Sequence, residues 1–174
     1  MIINSRSDLA ILFREKGFRR GAEVGVDAGV FSAILCEENP GLELYCIDIW
    51  ELDAGATRGM RLKKYAEAKQ ALEPYNATLI KKYSVDALKD FENNSLDFVY
   101  IDAGHVFDEV MMDVIGWTTK VRKGGIVAGH DYVPKARNVK EVVDIYAKAH
   151  SLKIHSTTDE SEPLSWWFDK KWNI

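Results

Sequence analysis

The stretch 96–101, Leu-Asp-Phe-Val-Tyr-Ile, is apolar at every position except Asp97. That is the pattern of a strand buried on both faces, and a parallel sheet covered by helices on each side supplies such a place. The rest of the chain follows the same constraint. Strand-like stretches at 21–26, 42–49, 77–81 and 126–128 alternate with helical stripes. These are Phe31, Ile34 and Leu35; Tyr65, Ala68 and Leu72; Phe107, Val110, Met111 and Val114; and Val139, Val142, Val143 and Tyr146. An N-terminal helix within residues 1–17 is expected to start at Ser7 as its cap and to stop at Gly17. Two more strand candidates, 152–155 and 164–168, close the chain. The alternation predicts the α/β class: a doubly wound, mostly parallel, seven-stranded sheet with an antiparallel last strand and helices on both faces, forming one domain over residues 1–174.

In sheets of this kind ligands bind outside the carboxyl ends of the strands. The residues that matter are therefore those just after each strand. The first such segment, Glu23-Val24-Gly25-Val26-Asp27-Ala28-Gly29, runs from strand into helix. Gly25 and Gly29 let the backbone approach a ligand closely, and the amides of the helix start face it. No Gly-Lys-Ser/Thr follows, so it is not a P-loop. The anionic Asp27 would repel a pyrophosphate and suits a ligand that carries an amino group. Asp48 ends the second strand, where a carboxylate can accept hydrogen bonds from both ribose hydroxyls of an adenosine ligand. Ile49 and Trp50 follow it. Either can cover an adenine face, and a packed core aromatic is the other reading of Trp50.

Composition narrows the partners. Lys and Arg total 23 against 27 Asp and Glu, a net charge of -4, so no basic surface for wrapping nucleic acid is expected. No apolar run approaches the ~20 residues that span a bilayer. Cys36 and Cys46 have no His or Cys at zinc-ligand spacing. These features predict a reduced, cytoplasmic protein without nucleic-acid or membrane partners.

Taken in order, the strand ends resemble those of the class I S-adenosylmethionine-dependent methyltransferases, a superfamily with a Rossmann-like fold. Glu23 to Gly29 matches the family's Glu-x-Gly-x-x-x-Gly motif, which the resemblance assigns to the methionine portion of the cofactor. Asp48 matches the ribose-binding acid. Ser84-Val85-Asp86-Ala87 resembles the adenine loop, with Asp86 expected near the adenine amine. Asp102 matches the position lining methyl donor and acceptor. Val121 to Gly125 is similar to the family's turn before the fifth strand.

The segments Ile101-Asp102-Ala103-Gly104-His105 and Gly129-His130-Asp131-Tyr132 resemble the small-molecule O-methyltransferase group. That resemblance implies a divalent ion, Mg²⁺, on Asp102 and Asp131, and a general base at His105 or His130, of which His130 beside Asp131 is the better placed. The Asn/Asp-Pro-Pro-Tyr/Phe motif of amine methylators does not follow the fourth strand, which together with the acidic charge speaks against a nucleic-acid amine acceptor, and the O-methyltransferase resemblance implies an oxygen of a small molecule. Residues 50–61 are the candidate lid, and a second copy of the chain, as a homodimer, is the other way to close the site.

Three further readings use the same residues: a cofactor-binding module without turnover, an NAD(P)-dependent oxidoreductase, and a metal-dependent hydrolase on Asp102, His130 and Asp131. Asp8, Asp108, Glu109 and Asp113 are expected on helix starts or outer faces, and His150 and His155 at the surface. Trp166 to Phe168 is read as the buried closing strand, with Trp172 covering an edge or a subunit contact.

Overall fold

Successive residues of β4 (Leu96–Ile101) enter two different cores: Phe98 and Tyr100 one, Val99 and Ile101 the other. This period-two division is what a strand between two helical layers requires. The computed structural model describes residues 2–50, 58–134, 138–159 and 163–173. The sheet contains β1 (Arg20–Val24), β2 (Glu43–Asp48), β3 (Ala77–Lys81), β4, β5 (Val121–Gly129), β6 (His155–Ser156) and β7 (Trp166–Asp169), ordered β3-β2-β1-β4-β5-β7-β6. The first five strands are parallel, and β7 runs antiparallel to both β5 and β6.

The helices α1 (Arg6–Glu15), α2 (Val30–Glu38) and α3 (Arg58–Leu72) cover one face, where Leu9, Phe13, Phe31, Leu35, Ala68 and Leu72 meet Phe98 and Tyr100. Phe13 stacks on Phe98 at a centroid distance of 4.2 Å. The opposite face carries α4 (Ser84–Ala87), α5 (Phe107–Lys120) and α6 (Val139–Ala149), which bury Ala87, Val110, Val114, Trp117, Val142 and Val143. β7 divides like β4: Trp167 joins the first core, Trp166 and Phe168 the second. Asp97, the polar interruption of the central strand, ties strand starts together. Its Oδ2 accepts from the amides of Arg19 (2.7 Å) and Arg20 (2.9 Å), and its Oδ1 from Arg122 Nε (2.7 Å).

Several local expectations shift. The cap of α1 is Ser5, whose side chain accepts from the Asp8 amide while the Asp8 carboxylate accepts from the Ser5 amide. Asp8 is thus half of a capping box rather than a bystander, and Ser7 lies inside the helix. β1 ends at Val24, because Gly25 turns at φ +91°. β5 already pairs at Val121, and the pairing then jumps from Leu96↔Val121 to Phe98↔Ile126 around Gly124 at φ +79°. The sixth strand is only His155 and Ser156, instead of 152–155. Trp172 stacks on His150 within the chain, at 5.1 Å, and His155 stacks on Trp167 at 5.3 Å. Of the lid candidate 50–61, residues 51–57 lie outside the described residues, Trp50 is buried in the core, and residues 58–61 belong to α3. Among the described residues no helix is long and apolar enough to cross a membrane.

Candidate active site

The chain leaves β1 outward to β2 and β3, then returns to place β4 on the other side of β1. The carboxyl ends of β1 and β4 therefore flank the switch point, where neighbouring crossovers diverge and leave a crevice. A cavity of about 1020 Å³ opens there. Its wall includes Glu23, Gly25 and Asp27 from the end of β1, Asp48 and Ile49 from β2, and Asp102 and His105 from β4.

Asp48 holds the turn after β1 in shape. Its Oδ2 accepts from the amides of Val26 and Asp27, both at 2.9 Å, and its Oδ1 accepts from the Trp50 amide at 2.9 Å. A carboxylate has about four lone-pair positions. These three bonds leave room on Oδ1 for one ligand hydroxyl, so the pair of ribose contacts expected from the sequence is not open to Asp48. Trp50 is 1% exposed, donates Nε1–H to the Asp27 carbonyl at 2.8 Å, and meets Tyr65 edge-on. It supports the turn from within the core and borders the cavity beside Ile49, the more exposed of the two. The Asp27 carboxylate pairs with Lys64 at 2.8 Å, so a ligand's amino group would have to compete with that ammonium. Gly29 does not line the cavity. It caps α2 at φ +78° and lets the helix approach α3, where an added Cβ would lie 3.0 Å from the Ala68 Cα.

Glu23 is buried and accepts a hydrogen bond from the Ser32 hydroxyl. Burial pushes its carboxyl up from 4.5 to about 8, with the charges of Asp102 and Asp48 adding to the rise and Ser32 and Arg6 opposing it. The folded protein therefore holds one more proton than the unfolded chain between about pH 4.5 and 8, and stability falls as pH rises through that window. The effect is on the order of 3–5 kcal/mol. Glu23→Gln keeps an acceptor for Ser32 and removes the titration. Melting curves from about pH 5 to about pH 9 are expected to show a smaller loss of Tm in the variant than in the wild type; parallel losses would refute the burial argument.

Beyond β4 and β5 four titratable groups converge. His105 Nε2 lies 2.6 Å from Asp131 Oδ2, and His130 Nδ1 lies 3.5 Å from Asp131 Oδ1 and 3.7 Å from Asp102 Oδ2. Asp131 sits in the left-handed region at φ +59° and is buried. Asn138 Nδ2 donates to the His105 carbonyl at 3.1 Å, fixing the loop that carries the imidazole. Burial raises the Asp102 carboxyl, while His130 and then His105 draw it back down. The sequence favoured His130 as base. In the fold, His105 lines the large cavity with its side chain 34% exposed, whereas His130 is 13% exposed and borders a separate cavity of about 170 Å³.

Two expectations from the sequence fail on the third wall. Asp86 does not line the cavity: on the four-residue α4 it points to Lys89, at 3.0 Å, and is exposed. Asp113, expected on an outer helix face, is 4% exposed and does line the cavity. It accepts a hydrogen bond from Ser84 Oγ, which in turn accepts from Trp117 Nε1 at 2.7 Å. The signal was present in the sequence, since Asp113 falls within the buried stripe Val110, Val114, Trp117 at i+3 from Val110. Arg6, at the start of α1, and Lys64 also line the cavity. Nothing in their local sequence marks them, because each is brought there by helix packing.

The chain matches a methyltransferase domain family over residues 22–132. It is 25% identical over 118 residues to the uncharacterized protein y4gI of Sinorhizobium fredii, covering 65% of this chain but spanning only 13% of that protein's length. Among solved structures, an O-methyltransferase from Bacillus cereus in complex with SAH is similar, with a TM-score of 0.69 at 15% identity over 95% of this chain and 80% of that one. So is a protein provisionally named an rRNA methylase from Clostridium thermocellum, with a TM-score of 0.72 at 16% identity over 100% and 99% of the two chains.

Proposed function

This chain belongs to the methyltransferase domain family, and from that premise we propose that it moves the methyl group of S-adenosylmethionine to an oxygen of a small molecule. The observation that carries this reading is the cavity at the switch point, lined by the glycine turn, Asp48, Asp102 and His105, with Asp131 buried behind His105. Its volume of about 1020 Å³ is ample for a nucleoside-sized ligand. Gly25 brings the backbone against the ligand, Asp48 has one acceptor position for a ribose hydroxyl, and Ile49 and Val85 offer apolar surface to a base. Bound there, S-adenosylmethionine supplies an electrophilic sulfonium methyl.

The chain's part in the reaction is to position the acceptor and take its proton. The contact of His105 Nε2 with Asp131 Oδ2 at 2.6 Å holds the imidazole in place at the cavity wall, where it is the candidate base. Asp131 is then a positioning residue, and Asp102 is the carboxylate nearest the reacting atoms. As the alternative to that pairing, Asp102, His105 and Asp131 can each offer one ligand atom, all within 4.8 Å of one another, a set that would fit a divalent ion in place of the His105–Asp131 bond. An ion such as Mg²⁺ at that place would acidify a bound hydroxyl. The cavity of about 170 Å³ beside His130, bordered by Asn4, Ser5, Thr157 and Ser165, supports a small polar acceptor. The net charge of -4 opposes a polyanionic one. Two buried thiols without a disulfide suit the reducing cytoplasm, where we place the chain.

Calorimetric titration with S-adenosylhomocysteine, with and without Mg²⁺, tests the reading. Micromolar binding is expected, weakened at least about 100-fold in Asp48→Ala, which deletes three charge-assisted bonds and the ribose acceptor. No binding by the wild-type chain under either condition would sink the proposal. Binding without turnover across a panel of phenols, alcohols and acids would favour the cofactor-binding module instead.

A further inference from the structure

The smaller cavity, about 170 Å³ beside His130, is walled by hydrogen-bond donors. It lies where Thr157, just after β6, and Ser165, just before β7, meet the amino end of α1. Pairing of the two strands sets these residues against each other: the Thr157 amide donates to the Ser165 carbonyl at 2.9 Å, and the Ser165 amide donates to Thr157 Oγ1 at 3.0 Å. Thr157 is 4% exposed and Ser165 1%. Ser165 Oγ also meets the Tyr100 hydroxyl at 2.7 Å. Tyr100 is buried in the first core, and a phenol is a stronger donor than an alcohol, so Tyr100 donates and Ser165 accepts. Both hydroxyls thus have an accepting position filled from within the protein, and neither spends its own proton on a described residue. A donor is what each offers the cavity.

Arg6 adds charge. It opens α1, where the helix dipole is positive, and it borders both the small and the large cavity. Its guanidinium draws down the carboxyls of Glu23 and Asp102, which line the large one. His130 borders the small cavity with Nδ1 3.7 Å from Asp102 Oδ2, so the two cavities adjoin at the carboxylate nearest the reacting atoms. Asp159, exposed on the rim, is the one acid among the described lining residues. One cation against one rim acid suits a singly charged anion rather than a phosphate.

We propose that the small cavity holds a carboxylate of the methyl acceptor, between Arg6 and the hydroxyls of Thr157 and Ser165, so that the substrate is a small hydroxy acid methylated on its hydroxyl oxygen. This rests on the S-adenosylmethionine reading above. Held by its carboxylate, the acceptor directs its far hydroxyl to Asp102 and His105. The O–CH₃ bond forms as the S–CH₃ bond breaks, the hydroxyl proton passes to the imidazole, and S-adenosylhomocysteine leaves.

The test titrates the complex with S-adenosylhomocysteine using lactate, 3-hydroxybenzoate and 4-hydroxybenzoate, each against its neutral amide. At least one acid is expected to bind at least about tenfold more tightly than its amide. In Arg6→Gln that ratio should fall by at least about tenfold. The double variant Tyr100→Phe with Ser165→Ala removes both hydroxyls together and strands neither. It should lower the ratio severalfold, and it carries the test if Arg6→Gln does not melt cooperatively. Tyr100→Phe alone keeps the Ser165 donor and should leave the ratio unchanged. No acid preferred over its amide, or a preference unchanged in Arg6→Gln or in the double variant, would overturn the assignment. An unchanged ratio in Arg6→Gln with weaker S-adenosylhomocysteine binding would give Arg6 to the cofactor's own carboxylate instead. If wild type does not bind S-adenosylhomocysteine, the failure belongs to the cofactor reading and not to the small cavity.

Discussion

Alanine at position 25 is expected to abolish S-adenosylhomocysteine binding and to lower Tm by about 8–16 °C. Two independent penalties combine. Gly25 sits at φ +91°, where a side chain is strained by roughly 1–3 kcal/mol. An added Cβ would also lie 2.0 Å from the Asp102 carbonyl oxygen and 2.4 Å from its carbon. Those are backbone atoms, and they are tied: the Asp102 amide donates to the Val24 carbonyl at 2.7 Å, and the Gly25 amide donates to the Ile47 carbonyl at 2.8 Å. Relief would require separating β1 from β4 at the ends that form the cavity. Such overpacking is worth roughly 1–3 kcal/mol more, giving a total of about 4 kcal/mol. That is a large share of the 5–15 kcal/mol typical of a domain. Differential scanning calorimetry and titration read both consequences. A variant with unchanged Tm and affinity would show that the two strand ends do not approach as described.

The second large effect concerns the imidazole. His105→Ala is expected to lower kcat by about 10²–10⁴-fold, the usual contribution of a positioned general base, while S-adenosylhomocysteine affinity changes little. Asp131→Asn should act in the same direction, because it replaces the carboxylate that holds the imidazole at 2.6 Å from Nε2. His130→Ala is the comparison. Its ring borders the smaller cavity, so its loss should move acceptor KM more than kcat. If His130→Ala takes the large kcat loss and His105→Ala does not, the base is His130, as the sequence favoured.

The glycine turn, Asp48 and Asp102 were legible before any coordinates because each is a local event. A strand that stops, a turn that needs positive φ and an acid at a strand end are all written within a few residues. Asp86 misled for the complementary reason. Its position after β3 was right, but the four-residue α4 turns its side chain to Lys89 and leaves Ser84 and Val85 facing the cavity. Trp50 meets both of its sequence readings: it borders the cavity beside Ile49, yet its bond to the Asp27 carbonyl and its contact with Tyr65 bury nearly all of it in the core.

The sequence by itself determined the strand–helix alternation, the central buried strand, the sheet edge on which a ligand would sit and the residues at its strand ends. Periodicity and glycine placement depend on short-range sterics, which neighbouring residues specify. Only the tertiary structure decided that His105 rather than His130 lines the cavity, that Asp131 holds it, and that Asp113 lies inside the wall. Those pairings join the ends of β4 and β5, and α4 to α5, across 26 and 29 residues of chain. No local pattern encodes a contact made by packing separate elements on one sheet, because the partner is chosen by register and helix rotation.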